Sequence, residues 1–461
     1  MTVEQLYTGC LSQGAYYIES DGEIAIIDPL RETKPYLDRA KRDNATIKYI
    51  FETHFHADFV SGHVTLSKET GAPIVFGPNA NPSFDALIAK DGQEFKVGNV
   101  TLTALHTPGH TMESTTYLLK DENGKEHAIF SGDTLFLGDV GRPDLAQKSS
   151  EVTQEDLAGI LFESLRNKIM PLPNDVIVYP AHGAGSACGK KMMKETVDTL
   201  GNQKLMNYAL RADMTKHEFI DEVTDGLLPP PSYFPLNVRM NKEGYDDLNA
   251  IVARGTKAFA PDEFEQVANT TGAIVLDVRH QSEFIKGHIP NSIFIGLDGG
   301  FAPWVGALIG DVMQTILLVV EEGREEEAIT RLSRVGFDKT LGFLRGGVSA
   351  WEKAGKDVDT LESVSATTLK EALRSNAPVF DVRNDTEFGG SHIPNAVHTP
   401  LNALNTYLKE FPKETPFYIH CAGGYRSVIA ASILKSRGIH NVIDVAGGFK
   451  AIKEAEISVV S

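Results

Sequence analysis

Cysteine is scarce in this sequence: there are three in 461 residues, and Cys10, Cys188 and Cys421 stand far apart. That excludes a disulfide framework, and the odd count suits a reducing compartment, so a cytoplasmic location is expected. No run of about 18 apolar residues occurs, so no transmembrane helix is predicted. The first ten residues lack the basic and apolar segments of a secretory signal. Cationic excess is missing too: 44 Lys and Arg against 62 Asp and Glu give a formal charge of −18. Nucleic acid and anionic membrane surfaces, which repel such a chain, are excluded as partners. A small anionic substrate is not, because it meets only the local field of its pocket. Composition leaves a homo-oligomer open.

What is present is ordinary globular material, 42% apolar and 23% charged, in a chain long enough for three domains of about 100–200 residues each. The first half alternates short apolar strands (residues 24–28, 48–53, 101–106, 115–120, 127–131 and 176–179) with helices near 35–43 and 153–170. Thr153 with Asp156 three residues on makes a capping-box signal for the second helix. The proline-rich stretch 228–235 is expected to be irregular, an arm closing the first domain, because proline fixes φ and lacks the amide. A boundary is expected near 251–257.

The second half repeats itself. Asp277-Val-Arg279 recurs as Asp381-Val-Arg383, and His288-Ile-Pro290 as His392-Ile-Pro394, both at an offset of 104 residues. Gly346-Gly-Val-Ser-Ala-Trp351 recurs as Gly447-Gly-Phe-Lys-Ala-Ile452 at an offset of 101. Three ordered matches at nearly constant spacing define two homologous domains, each alternating strands and helices in the manner of a parallel α/β sheet. The expected division is 1–252, 256–356 and 361–461.

Four segments of the first half place one ligand-type residue just past an apolar run: His54-Phe-His56-Ala-Asp58, then His110, Asp133 and His182. A single such histidine is usually a satisfied core or surface residue. Four in order, each at a strand end, make a metal site, since imidazole and carboxylate suit borderline metals and strand ends hold ligands rigidly. This pattern resembles the metallo-β-lactamase superfamily, whose signature is His-x-His-x-Asp-His followed by a distal His, an Asp and a last His. The resemblance covers residues 1–250 and implies an αββα sandwich. It departs at Phe59, where the superfamily has a third histidine that binds the second metal.

His54, His110 and Asp133 remain, two imidazoles and one carboxylate with open positions, the set that suits non-heme Fe(II). Within the superfamily the chain resembles the persulfide dioxygenases, which use that triad in that order. The loop from Gly138 through Arg142 to Asp144 and the arm ending near Arg239 add to the match. The resemblance implies one Fe(II) per chain and oxidation of a low-molecular-weight thiol persulfide by O2 to sulfite and thiol. It also implies that His56, Asp58 and His182 orient water and ligands around the metal, and that Arg142 orders the loop over it. Arg239 is a candidate contact for an anionic group of the carrier thiol, or else a surface ion pair. Cys188, in a Gly-rich loop six residues after His182, is a candidate substrate contact, or else buried filler. Cys10 is assigned to packing.

An apolar strand at 417–420 runs into Cys421-Ala422-Gly423-Gly424-Tyr425-Arg426-Ser427, which opens a helix. Successive amides and a helix start favour an anion, and the charge of Arg426 adds to that, so the nucleophilic thiolate is favoured. Cys-x4-Arg in the repeat frame resembles the rhodaneses, which carry sulfane sulfur as a cysteine persulfide. The resemblance implies thiosulfate formation from sulfite, or its reverse. The other repeat has Glu321-Glu-Gly-Arg324-Glu at this place and no cysteine, so sulfur transfer is not expected there. Two rival readings are a dinuclear thioester hydrolase of the glyoxalase II type, opposed by Phe59, and a non-enzymatic sulfane-sulfur carrier or sensor, opposed by the intact triad and Cys421.

Overall fold

The structure is a computed structural model that describes residues 1–145 and 152–461. Two compact units form: Met1–Leu248 with Ser333–Gly336, and Asn249–Leu332 with Phe337–Ser461.

The first unit holds two six-stranded sheets. One runs Thr2–Thr8, Gln13–Ser20, Glu23–Ile27, Thr46–Phe51, Ile74–Phe76, Leu87–Ile88 in spatial order. The other runs Asp198–Thr199, Ile177–Pro180, Glu126–Gly132, Thr115–Lys120, Val100–His106, Glu94–Val97. Strand alternation explains why both sheet faces are covered. Tyr16, Ile18, Ala25 and Ile27 point inward and meet Leu102, Tyr117 and Phe130 of the facing sheet. Their neighbours Ala15, Tyr17, Ile24 and Ile26 point outward onto Tyr36 and Leu66 of helices Lys34–Arg42 and His63–Thr70. A period of two thus feeds two cores at once. The second sheet is backed by Leu161, Leu165 and Phe219, each such burial stabilising the fold by about 1.5–3 kcal/mol. These layers are the expected αββα sandwich.

Two helix expectations need correction. The Thr153 capping box is present, with Asp156 N–H donating to Thr153 Oγ1 at 3.1 Å and Thr153 N–H donating to Asp156 Oδ2 at 3.0 Å. The α-helix ends at Ser164, however, and continues as a π turn, Leu165–Ile169. The proline-rich arm is irregular as expected over residues 228–233, but not at its end. Helix Phe234–Glu243 begins inside it with Pro235 in its first turn, where the missing amide has no partner to lose.

The second unit carries two five-stranded sheets with every strand pair parallel. In the first, Ile316–Val319 lies between Thr340–Leu344 and Ile274–Asp277; in the second, Phe417–His420 lies between Val442–Val445 and Val379–Asp381. The central strands are apolar throughout or nearly so, as strands covered on both faces must be. No helix among the described residues is long and apolar enough to cross a membrane.

Candidate metal centre and candidate sulfur site

His54, His110, Asp133 and His182 each follow the end of a strand (Thr46–Phe51, Val100–His106, Glu126–Gly132 and Ile177–Pro180), and all four are buried. His54 Nε2 lies 3.9 Å and His110 Nε2 lies 3.4 Å from the same oxygen, Asp133 Oδ2. Hydrogen bonds on the far side of each ring fix which nitrogen faces inward. Thr53 donates its hydroxyl proton to Asp28 Oδ2 at 2.8 Å, so its oxygen accepts from His54 Nδ1–H at 3.0 Å. His110 Nδ1–H donates to the Arg142 carbonyl at 2.8 Å. Both Nε2 lone pairs therefore point at the Asp133 carboxylate, the tautomer a metal ligand requires. Burial first, then the neighbouring histidines, hold His54 well below its ordinary pKa, so it stays neutral and able to ligate.

The other carboxylate oxygen serves a second group. His182 Nε2 lies 3.6 Å from Asp133 Oδ1 and 3.4 Å from Asp58 Oδ2. Cys188 is buried, and its sulfur falls with Asp133 and His182 inside one potential ligand set. Burial, then Asp58 and Asp133, push its thiol well above the usual range, so it is held as a thiol. Both Asp133 oxygens and both His182 nitrogens lack a hydrogen-bond partner among the described residues. Buried polar atoms without protein partners are the donor set a cation would satisfy.

His56 serves both sides: a ring nitrogen falls with Asp58 and His182 inside one potential ligand set, and the ring also meets a second pair of carboxylates. Its Nε2 lies 3.1 Å from Asp28 Oδ1 and 3.5 Å from Glu52 Oε2. Burial opposes its charge, but Asp28 above all, with Glu52 and Asp58, outweighs it and raises the pKa to about 9. Phe59, fully buried, packs against His56 with ring centroids 4.3 Å apart.

The His56 pair should register in stability. Its folded pKa exceeds the ordinary value of 6.5, so the stabilisation is complete below pH 6.5 and is lost as pH rises through about 9. Denaturation of the metal-free chain is expected to show the first unit weakening across that window by up to about 3 kcal/mol. His56→Gln should flatten this component; an unchanged slope in the variant would reject the pairing.

Arg142 is buried, donating to Asp144 Oδ1 and Oδ2 at 2.6 Å each, to Ala187 O at 3.1 Å and to Leu228 O at 2.6 Å. It thus ties three segments together behind His110. Arg239 lies elsewhere: it is exposed and paired with Glu243 at 2.8 Å, one helical turn on. The cavity that reaches His110, about 340 Å³, is lined instead by Phe55, Ala57, Met112, Val238 and Lys242. Cys10 is half-buried.

In the second unit, Cys421 is buried, and its sulfur accepts from the Gly424 amide at 3.1 Å and from Ser427 Oγ at 3.5 Å. Gly424 caps helix Tyr425–Ser436 at φ +97°, a conformation that favours glycine. Ala422 and Gly423 complete the turn, and Phe449 N–H donates to the Cys421 carbonyl at 2.6 Å. The expected role of Arg426 needs qualification. Its guanidinium makes two bonds of 2.7 Å to Glu387, which shares its charge and is itself held below the usual carboxylate range by it. The direct contacts to sulfur are an amide and a hydroxyl.

The other copy differs at the same place. Val320 follows strand Ile316–Val319 where Cys421 follows Phe417–His420, and Arg324 is engaged by Asp298 at 2.9 Å and Glu327 at 2.8 Å.

Sequence reasoning missed Asp28, Thr53 and Glu387. Asp28 carried the signal used elsewhere, an acidic residue ending an apolar run, but it was absorbed into the strand. Glu387 stands three residues after the N-cap Asn384, a position that reads as capping.

The pattern of the metallo-beta-lactamase superfamily matches residues 8–182, and that of the rhodanese-like domain matches residues 260–354 and 365–455. The chain belongs to the metallo-beta-lactamase superfamily and carries two rhodanese-like domains behind that fold. It is 30% identical over 227 residues to the human mitochondrial persulfide dioxygenase ETHE1, spanning 48% of this chain and 78% of that protein. A probable hydroxyacylglutathione hydrolase of Schizosaccharomyces pombe is 30% identical over 182 residues, spanning 38% of this chain and 66%, just under two thirds, of the hydrolase. A metallo-beta-lactamase crystal structure from Staphylococcus aureus superposes with a TM-score of 0.67 at 31% identity, covering 74% of this chain and 99% of that one.

Proposed function

We propose that this chain joins two sulfur activities, divided as residues 1–252, 256–356 and 361–461. The first oxidises a low-molecular-weight thiol persulfide with O2 at one Fe(II): the S–S bond breaks, O2 and one water supply the three oxygens of sulfite, and the thiol and two protons are released. The second moves sulfane sulfur through Cys421. The observation that carries the first is the convergence of His54 and His110 on Asp133 Oδ2. Two imidazoles and one carboxylate would hold a ferrous ion with open positions, and when bound it would supply a redox and Lewis-acid centre where both reactants meet. Thr53 and the Arg142 carbonyl keep the two Nδ1 protons outward, and Asp58 with His182 lines the other side of the carboxylate. The cavity beside His110 admits the carrier, with Lys242 as the cation for an anionic carrier thiol. The similarity to a protein named as a persulfide dioxygenase supports this reading. Three unpaired cysteines suit a cytoplasmic setting.

At the second site the Cys421 thiolate attacks the outer sulfur of a donor persulfide. The donor S–S bond breaks, its thiolate leaves, and Cys421 becomes a persulfide. Sulfite then attacks that outer sulfur, releasing thiosulfate and restoring the thiolate; the reverse sequence loads a thiol from thiosulfate.

A thioester hydrolase is the second reading, favoured by the gathering of His182 and Asp58 on Asp133 Oδ1 and by relatives named as hydroxyacylglutathione hydrolases. Against it stands Phe59, at the place where the superfamily has a third histidine for the second metal. Metal analysis of the purified chain decides. About one iron per chain with persulfide-dependent O2 uptake is expected; two zincs with thioesterase activity would overturn the proposal.

A further inference from the structure

The cysteine-free domain touches the loop that holds the sulfur. Tyr425, the first residue of helix Tyr425–Ser436, sends its side chain into the turn at residues 296–300 of that domain. Its phenol donates to the Gly296 carbonyl at 2.7 Å, and burial pushes the phenol up, so the proton needed for that bond is retained. The ring lies flat against Gly299. A Cβ there would stand 2.3–2.6 Å from three of its carbons, so the demand for glycine is steric and is made by a residue of the other domain. Farther along the helix, Ser432 Oγ accepts from the Phe294 amide at 2.9 Å.

Tyr425 sits between the two working residues of the loop. The Gly424 amide before it donates to Cys421 Sγ at 3.1 Å, and Arg426 after it is fixed on Glu387. From within its own domain the loop is held by Phe449 N–H on the Cys421 carbonyl and Lys450 N–H on the Ala422 carbonyl. Neither reaches Gly424 or Tyr425. That half of the loop is clamped from the neighbouring domain, and an amide that stabilises a thiolate must be held in place before the charge forms.

We propose that the cysteine-free domain is a working part of the sulfur-transfer site, its turn at residues 296–300 seating Tyr425 and so fixing the amide that holds the Cys421 sulfur. Tyr425, Gly296 and Gly299 are positioning residues. This rests on the reading of Cys421 as a sulfur carrier. It also explains why a domain with Val320 in the cysteine's place is retained in the chain.

The test uses the full chain and three variants: Gly299→Val, which places a side chain against the ring, Tyr425→Ala, and Tyr425→Phe, which removes only the hydroxyl. Two quantities are read: the iodoacetamide alkylation rate of the Cys421 peptide at fixed pH by mass spectrometry, and kcat and KM for thiosulfate-to-cyanide sulfur transfer. Gly299→Val and Tyr425→Ala are expected to slow alkylation about fivefold and to lower kcat about tenfold, with KM changed by less than about twofold. Tyr425→Phe should fall between them and the parent. Should Gly299→Val fail to fold, Tyr425→Phe carries the test, as its packing is retained. Parental alkylation rates and kcat in folded Tyr425→Ala and Tyr425→Phe chains would overturn the proposal. If the parent chain transfers no sulfur, the reading of Cys421 fails, while the alkylation rates still judge the clamp.

Discussion

Replacing His110 with alanine is expected to abolish persulfide-dependent oxygen uptake while leaving cyanide-dependent sulfur transfer at its parental rate. His110 contributes one of the two imidazoles facing Asp133 Oδ2, and it alone is anchored by the Arg142 carbonyl. Without it, only His54 would face a cation held on Asp133 Oδ2. Even the outer partners of a ligand are worth 10–100-fold in metal affinity, so losing the ligand itself should exceed about a hundredfold. Iron content should fall with activity, which separates loss of metal from loss of substrate binding. The proposed sulfur transfer draws on Cys421, Gly424 and Ser427, which lie in the other compact unit. Oxygen uptake that survived in an iron-replete variant would remove His110 from the centre, and a parallel fall in sulfur transfer would point to general misfolding.

Much of this centre was legible because strand alternation and strand ends are local features of sequence. The run at residues 24–27 reads as a strand, and its placement of Ile24 and Ile26 on one face and Ala25 and Ile27 on the other follows from a period of two. His54, His110, Asp133 and His182 stood out because each breaks an apolar run with a ligand-type residue. What stayed hidden depends on contacts between distant segments. Nothing near Thr53 announces that its hydroxyl joins Asp28 to His54. The pairing of His56 Nε2 with Asp28 and Glu52 depends on two carboxylates 28 and 4 residues away in sequence. Arg239 and Lys242 are three residues apart on helix Phe234–Glu243. Their different fates, ion pair and cavity wall, are decided by what the helix lies against. Likewise Glu387 and Gly299 gain their roles from Arg426 and Tyr425, 39 and 126 residues away. Pro235 was misread for a local reason, since proline stops a helix from continuing but suits its first turn.

Cys421→Ser should produce the opposite phenotype: oxygen uptake retained, sulfur transfer lost by more than about a thousandfold, and sulfite in place of thiosulfate as the end product. The hydroxyl of serine would sit where the Gly424 amide and Ser427 now meet the sulfur, so the loop should keep its shape. Only the nucleophile changes, because an alcohol is scarcely ionised at neutral pH and cannot carry a sulfane sulfur through thiolate chemistry. The cysteine-free copy offers no rescue, having Val320 at the corresponding place and Arg324 held by Asp298 and Glu327. The proposed relay joins both sites in one chain and so raises the local concentration of sulfite; on that reading the parent should release less free sulfite than an equimolar mixture of His110→Ala and Cys421→Ser chains. Sulfite and thiosulfate quantified in the same time course check both statements. Unchanged thiosulfate output from the Cys421→Ser chain would discard the relay and leave the oxidation site standing alone.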